Sequence, residues 1–200
     1  MVNDYRKLTT KEYEQERKRL LPLIQKEMSD KRFNHVLRVE EMAIQLAKVH
    51  DVSPVQASLA ALIHDYAKER PDEEMIHYIK THGLDQSLIS FGNPIWHGIL
   101  GACLAKEELS VTDPMVLQAV RLHTTGAKEM TDLDQVIYVA DYVELGRQFE
   151  GVEEARELAF KDLKQAVAYE TKHTLLYLIQ KEVSIYPKTL ETYNQWVVKK

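Results

Sequence analysis

The stretch Ser53-Pro54-Val55-Gln56-Ala57-Ser58-Leu59-Ala60-Ala61-Leu62-Ile63-His64-Asp65 decides how this chain reads. Serine followed by proline starts a helix: the hydroxyl caps a free amide, and proline loses nothing in a first turn whose N–H groups have no partner. The residues that follow are small and apolar on every side, as befits a helix enclosed by other helices. They run straight into an imidazole and a carboxylate. The sequence therefore predicts a central helix whose end delivers two polar groups to the interior.

Outward from that helix the periodicity stays helical, with apolar residues three and four apart and only 7 glycines and 6 prolines as punctuation. A first helix is expected over 10–28, with Thr10 as N-cap and Pro22 as a kink or break. A second, over 31–49, buries Val36, Val39, Ala43, Leu46 and Ala47 on one stripe. Pro71-Asp72-Glu73-Glu74 opens a fourth, its acids at the positive end of the helix dipole, and Gly83 ends it. A fifth is expected over 95–108. Asp113-Pro114 opens a sixth that reaches His123 and stops at Thr124-Thr125-Gly126, and an apolar seventh spans 133–145. After Gly151 an amphipathic stretch runs to 181 with an interruption near Thr171, and Pro187 starts a tail helix. No pair of strands with a hairpin turn appears. The fold class is all-α, a single-domain helical bundle.

The chain has 200 residues, enough for one sizeable core, and 44% hydrophobic and 28% charged residues exclude disorder. A net charge of -5 argues against nucleic acid as a partner, since such surfaces carry basic patches. It leaves room for a small anion bound by a local cluster of cations. The single cysteine, Cys103, sits in an apolar run, reads as core filler and forms no internal disulfide, which fits a reducing compartment. The opening MVNDYRKLTTKEYEQERK lacks a signal peptide's apolar stretch, and no segment offers the ~18 apolar residues that span a bilayer. A cytoplasmic protein without a membrane partner is expected. The stretch from Tyr177 to Leu190 reads as packing or homodimer surface, and the tyrosines as half-buried core edges.

Of eight histidines, four interrupt apolar helix faces: His35 beside Phe33 and Val36, His64 after Leu62-Ile63, His97 after Ile95-Trp96, and His123 after Val120-Arg121-Leu122. Asp65 and Asp141 interrupt apolar runs in the same way. Singly, each reads as a capped or hydrogen-bonded structural residue. Together they need a common explanation, because buried imidazoles require partners and a buried carboxylate requires a cation. Transition metals satisfy all six, since imidazole and carboxylate suit iron, manganese or zinc, with cobalt and nickel also compatible. Adjacent His64 and Asp65 project about 100° apart on a helix, which lets a carboxylate serve one metal or bridge two. Two metals about 3.5–4 Å apart can activate a water while holding phosphoryl oxygens in line. His50, His77, His82 and His173 lie among polar neighbours and read as peripheral.

The order His35, His64-Asp65 with Lys68, His97, His123, Asp141 resembles the HD superfamily of metal-dependent phosphohydrolases. The strings LIHDYAKERPDEE, IWHGILGA, AVRLHTTGA, VIYVADYVE and GVEEARELAFKDLKQAV resemble its YqeK group, which cleaves diadenosine tetraphosphate symmetrically to two ADP. The resemblance spans residues 20–190. It leaves 1–19 as a helical N-terminal extension and 191–200 as a C-terminal tail. It implies a bundle carrying a di-iron centre, with His35, His64, Asp65 and Asp141 holding one metal and Asp65, His97 and His123 the other. Asp65 is then the bridge. The chain departs from the group after Asp141, carrying Leu145-Gly146 where members carry Pro-Asn, although Arg147 is kept.

Lys68, three residues after Asp65, is expected near the metals, where its ammonium neutralises phosphate and, with Asp65, takes a catalytic role. Arg38, Thr124, Thr125, Gly126 and Arg147 complete the expected substrate contacts. Two other readings keep the same ligands: a phosphatase for a mononucleotide or guanosine alarmone, and a nucleotide-sensing protein whose metal site is structural.

Overall fold

The computed structural model describes residues 4–198, and every regular element among them is helical. A 3-10 turn, Tyr5–Lys7, precedes α1 (Thr10–Lys26), α2 (Asp30–Val49), α3 (Pro54–Ile63) and α4 (Asp72–Thr81). A second 3-10 segment, Gln86–Phe91, leads to α5 (Asn93–Glu108), α6 (Pro114–Leu122) and α7 (Asp132–Val143). α8 (Val152–Lys161), α9 (Leu163–Gln180) and α10 (Pro187–Trp196) complete the bundle. Residues 1–3 and 199–200 of the two terminal segments lie outside the described residues.

The central helix is α3. Ser53 accepts from the Gln56 N–H, Pro54 occupies the first turn, and every residue from Gln56 to Ile63 is buried. Burial of Leu59, Leu62 and Ile63 alone stabilises by roughly 1.5–3 kcal/mol per side chain. α1, α2, α6 and α7 pack around it, with α2 making the most extensive contact. α5 packs on α6, and α9 lies against α7 with α8 and α10 on its other sides. The ends of α3 and α6 and the bodies of α2, α5 and α7 thus converge on one interior point.

Four local details differ from the sequence expectation. The N-cap of α1 is Thr9, because Glu12 stands three residues on and closes a capping box with it. The helix runs past Pro22 to Lys26 without a break. The interruption expected near Thr171 falls at Asp162, whose extended backbone ends α8 and whose carboxylate caps α9 by accepting from Gln165. Thr171 is instead buried inside α9, its hydroxyl 3.1 Å from that of Tyr138. Cys103 is half-buried on α5 rather than sealed in the core.

Among the described residues, both the first 3-10 turn and α10 are packed on the bundle. Tyr5 is 1% exposed, and its N–H donates to Asp113 Oδ2 at 2.7 Å, the same oxygen that accepts from Gln56 Nε2. From α10, Trp196 Nε1 donates to the Ala127 carbonyl and Thr192 Oγ1 to the Thr125 carbonyl. Among the described residues no helix is long and apolar enough to cross a membrane.

Candidate metal centre

His35 comes from α2, His97 from α5 and Asp141 from α7, while His64 and His123 are the residues that end α3 and α6. All four imidazoles are oriented by the same device. His64 Nδ1 lies 2.6 Å from the Ala61 carbonyl, His123 Nδ1 2.7 Å from that of Val120, and His97 Nδ1 2.8 Å from that of Asn93. His35 Nδ1 lies 3.0 Å from Glu144 Oε1. Carbonyl and carboxylate oxygens only accept, so the partners assign the proton to Nδ1 and leave the Nε2 lone pair to face inward. Outer-shell hydrogen bonds of this kind orient metal-ligating histidines generally.

Those lone pairs meet around Asp65, which is 3% exposed. Its two oxygens are divided between them. Oδ2 lies 3.4 Å from His64 Nε2 and 3.6 Å from His35 Nε2, while Oδ1 lies 3.3 Å from His97 Nε2 and 3.9 Å from His123 Nε2. Asp141 Oδ1 is 3.0 Å from His35 Nε2 on the far side, although off the line of a hydrogen bond.

The donor set fits metal ions. The Nε2 atoms of His35 and His64 are buried without a hydrogen-bond partner, and those of His97 and His123 face each other at 3.1 Å with both Nδ1 protons committed elsewhere. Opposed lone pairs of this kind call for a cation. Ligand atoms of His35, His64 and Asp141, and of His64, Asp65 and His123, lie within 4.8 Å of one another in two groups that can each hold a metal.

The electrostatics point the same way. Burial, with His123 and Lys68 beside it, holds His97 well below the ordinary imidazole range, and burial lowers His123 to about 4, so both imidazoles are neutral near pH 7, as metal ligation requires. Burial also opposes charge on His64, but the adjoining Asp65 carboxylate outweighs it and raises the imidazole. Burial would raise Asp65, yet the surrounding histidines hold it well below the usual carboxylate range. Asp141 sits deep among packed groups with 23% of its side chain open to the cavity. His35 and Arg147 overcome its burial and keep it ionised.

The centre forms the floor of a cavity of about 810 Å³. Asp65, Lys68, His97, His123, Asp141 and Arg147 line this end of it. Burial lowers the half-buried Lys68, whose Nζ stands 3.3 Å from the His97 ring. Arg147 donates to Asp141 Oδ1 at 2.5 Å and to the Asp141 carbonyl at 2.9 Å.

The other expected contacts fall differently. Thr124 lines the cavity with its hydroxyl unpartnered, but Thr125 is buried and donates to the Gly126 carbonyl. Gly126 is turned onto α10. With φ at +60° and a Cβ that would fall 2.6 Å from Thr192 Cγ2, it admits no side chain. Arg38 faces away from the cavity and holds Glu144, Nε to Oε2 at 2.6 Å. Gly146 makes that possible, because a Cβ there would collide with the Arg38 guanidinium.

Sequence reasoning missed three participants. Arg32 donates to Asp65 Oδ2 at 2.8 Å, and Glu144 holds His35. Each stands three residues from a recognised residue on its helix, Arg32 before His35 and Glu144 after Asp141, which was the available signal. His173, read as peripheral, lines the cavity from α9, and nothing in its polar surroundings announces that.

Comparison with known proteins places this geometry among relatives. The HD domain family matches residues 32–146. The symmetrical bis(5'-nucleosyl)-tetraphosphatase of Halalkalibacterium halodurans is 40% identical over 90% of this chain and 96% of its own length. That of Bacillus subtilis is 40% identical over 91% of this chain and 97% of its own. The crystal structure of a predicted HD superfamily hydrolase involved in NAD metabolism from Clostridium acetobutylicum superposes with a TM-score of 0.83 at 32% identity, covering 90% of this chain and 96% of that one.

Proposed function

The chain belongs to the HD domain family, and from that premise we propose that it hydrolyses diadenosine tetraphosphate symmetrically to two ADP. The observation that carries the reading is the division of the Asp65 carboxylate, one oxygen among His35 and His64 and the other among His97 and His123, at the floor of an open cavity. That arrangement suits two metals sharing one bridge. His35, His64, Asp65 and Asp141 would hold the first, and Asp65, His97 and His123 the second. Iron is the proposed metal, with manganese, cobalt, nickel or zinc compatible with the same ligands. When bound, the pair supplies Lewis acidity and lowers the pKa of water.

The chain's own residues do the rest. Lys68 places its ammonium against the phosphate oxygens and stabilises the charge that develops as the anhydride opens. Arg147 lines the cavity and, beyond its hold on Asp141, has N–H groups left to offer the phosphates, with Thr124 lining the cavity as well. Water adds to a phosphorus of the central P–O–P bridge, the bridging oxygen leaves on the second ADP, and two protons are released as both ADP products ionise. Residues 20–190 carry this activity in the proposal, and residues 1–19 and 191–200 frame it. The test is product chromatography with metal-loaded protein. Two ADP without AMP or ATP are expected, whereas no turnover, or an AMP and ATP pair, removes the reading.

A further inference from the structure

Along the cavity α9 presents one helical stripe, on which Glu170, His173, Thr174, Tyr177 and Gln180 recur at spacings that share a face. Glu170 is only 7% exposed, and its Oε2 is buried without a hydrogen-bond partner. The nearby Tyr138 hydroxyl does not serve it, being paired with Thr171. Burial, reinforced by Asp141, pushes this carboxyl well above its usual range. A buried polar group left unsatisfied costs free energy, which a ligand that completes its hydrogen bonds recovers.

Two aromatic rings from α7 and the loop after it line the same cavity. Tyr142 and Phe149 stand 4.7 Å apart between centroids, inclined at 52°, and Phe149 is 37% exposed. The cavity therefore combines cations and metal ligands with aromatic faces and a bonding-deficient carboxyl. A nucleoside diphosphate combines the matching chemistries.

We propose that Glu170 reads the nucleobase of the substrate, accepting the exocyclic amine of an adenine held against Tyr142 and Phe149. The assignment rests on the nucleotide hydrolase reading above and adds to it a residue that sets base preference. Glu170 thereby forms a hydrogen bond with adenine that a purine lacking the amine cannot make.

The test pairs a deletion in the protein with a deletion in the ligand. Binding of ADP and of purine riboside 5′-diphosphate, which lacks only the 6-amino group, is measured by calorimetry on metal-loaded wild type, Glu170→Met and Glu170→Gln. Wild type is expected to prefer ADP by about 10- to 100-fold, as a hydrogen bond to a buried polar group warrants. Glu170→Met, apolar and of similar length, should bind both alike at the weaker level, with KM for diadenosine tetraphosphate raised and kcat kept. Glu170→Gln should retain the preference. A wild type without preference, a folded Glu170→Met that keeps it, or a Glu170→Gln that loses it overturns the assignment. The two readings fail separately. ADP preference without tetraphosphate cleavage sinks the hydrolase and supports Glu170, while cleavage without base preference sinks Glu170 alone.

Discussion

His64 and His173 use the same local device, an Nδ1 hydrogen-bonded to a carbonyl of their own helix, Ala61 at 2.6 Å and Tyr169 at 2.7 Å. Their settings differ. His64 is fully buried and its Nε2 meets the Asp65 carboxylate, whereas His173 is half-buried, stacks on the Tyr169 ring at 3.9 Å and borders the open part of the cavity. The contrast holds for the metal-facing and α9 sides of the cavity as a whole. At the metal end, helix carbonyls and the Glu144 carboxylate fix every imidazole. At the α9 end, half-exposed side chains present faces that can adjust to a base. Orientation that is locked before binding suits coordination, where small displacements are costly, and adaptable surface suits stacking.

The largest test of that contrast is Asp65→Ala, which removes the residue both halves of the histidine cluster share. Outer-shell changes typically cost about 10–100-fold in metal affinity or activity. Loss of the bridge should therefore lower activity by more than about 1,000-fold, with metal lost on desalting. Metal analysis alongside ADP release checks this, and wild-type activity in the variant would defeat the mechanism. Lys68→Ala comes next. It should keep its metal and lose about 100- to 1,000-fold in kcat, as removal of a single preorganised donor does elsewhere. Metal lost along with rate would mean that Lys68 supports the His97 ring rather than the substrate. Glu144→Gln ranks third, because it weakens only the acceptor that orients His35 and releases Arg38. Metal titration should show affinity down about 10–100-fold with base preference unchanged. A change in base preference would break the separation of the two ends.

The candidate metal end was legible because burial made it so. Each proposed ligand interrupts an apolar helix, and an imidazole after Leu62-Ile63 or a carboxylate after Val139-Ala140 has few other reasons to be there. The α9 end hid for the converse reason. Glu170 and His173 lie in the polar run Tyr169-Glu170-Thr171-Lys172-His173, where any amphipathic helix carries such residues. Their role depends on α9 folding back onto α7, a long-range packing that no local pattern records. Arg38 shows the same limit from the other side. Its position one turn from His35 suggested the cavity, but the side chain lies against Glu144, in space that Gly146 leaves open.

The smallest expected effect lies where the two ends meet, at the loop from Thr124 to Gly126. Thr192 on α10 donates to the Thr125 carbonyl at 2.9 Å, with the Lys188 carbonyl 2.8 Å from the same hydroxyl, and it packs against Gly126. Thr192→Val keeps the shape and removes the hydroxyl, leaving the Thr125 carbonyl unpaired in a buried position, at a cost of about 1–3 kcal/mol. Because His123 is anchored separately to Val120, its Nε2 should stay in place and metal content should not change. Thr124, which lines the cavity one residue before the loosened carbonyl, should be held less firmly. KM for the tetraphosphate should therefore rise a few-fold while kcat, metal affinity and the preference for ADP over its analogue without the 6-amino group stay near wild type. A Thr192→Val protein that loses metal instead would show that the loop and the ligand set are one mechanical unit, and the contrast between a locked end and an adjustable end would have to be redrawn through α6.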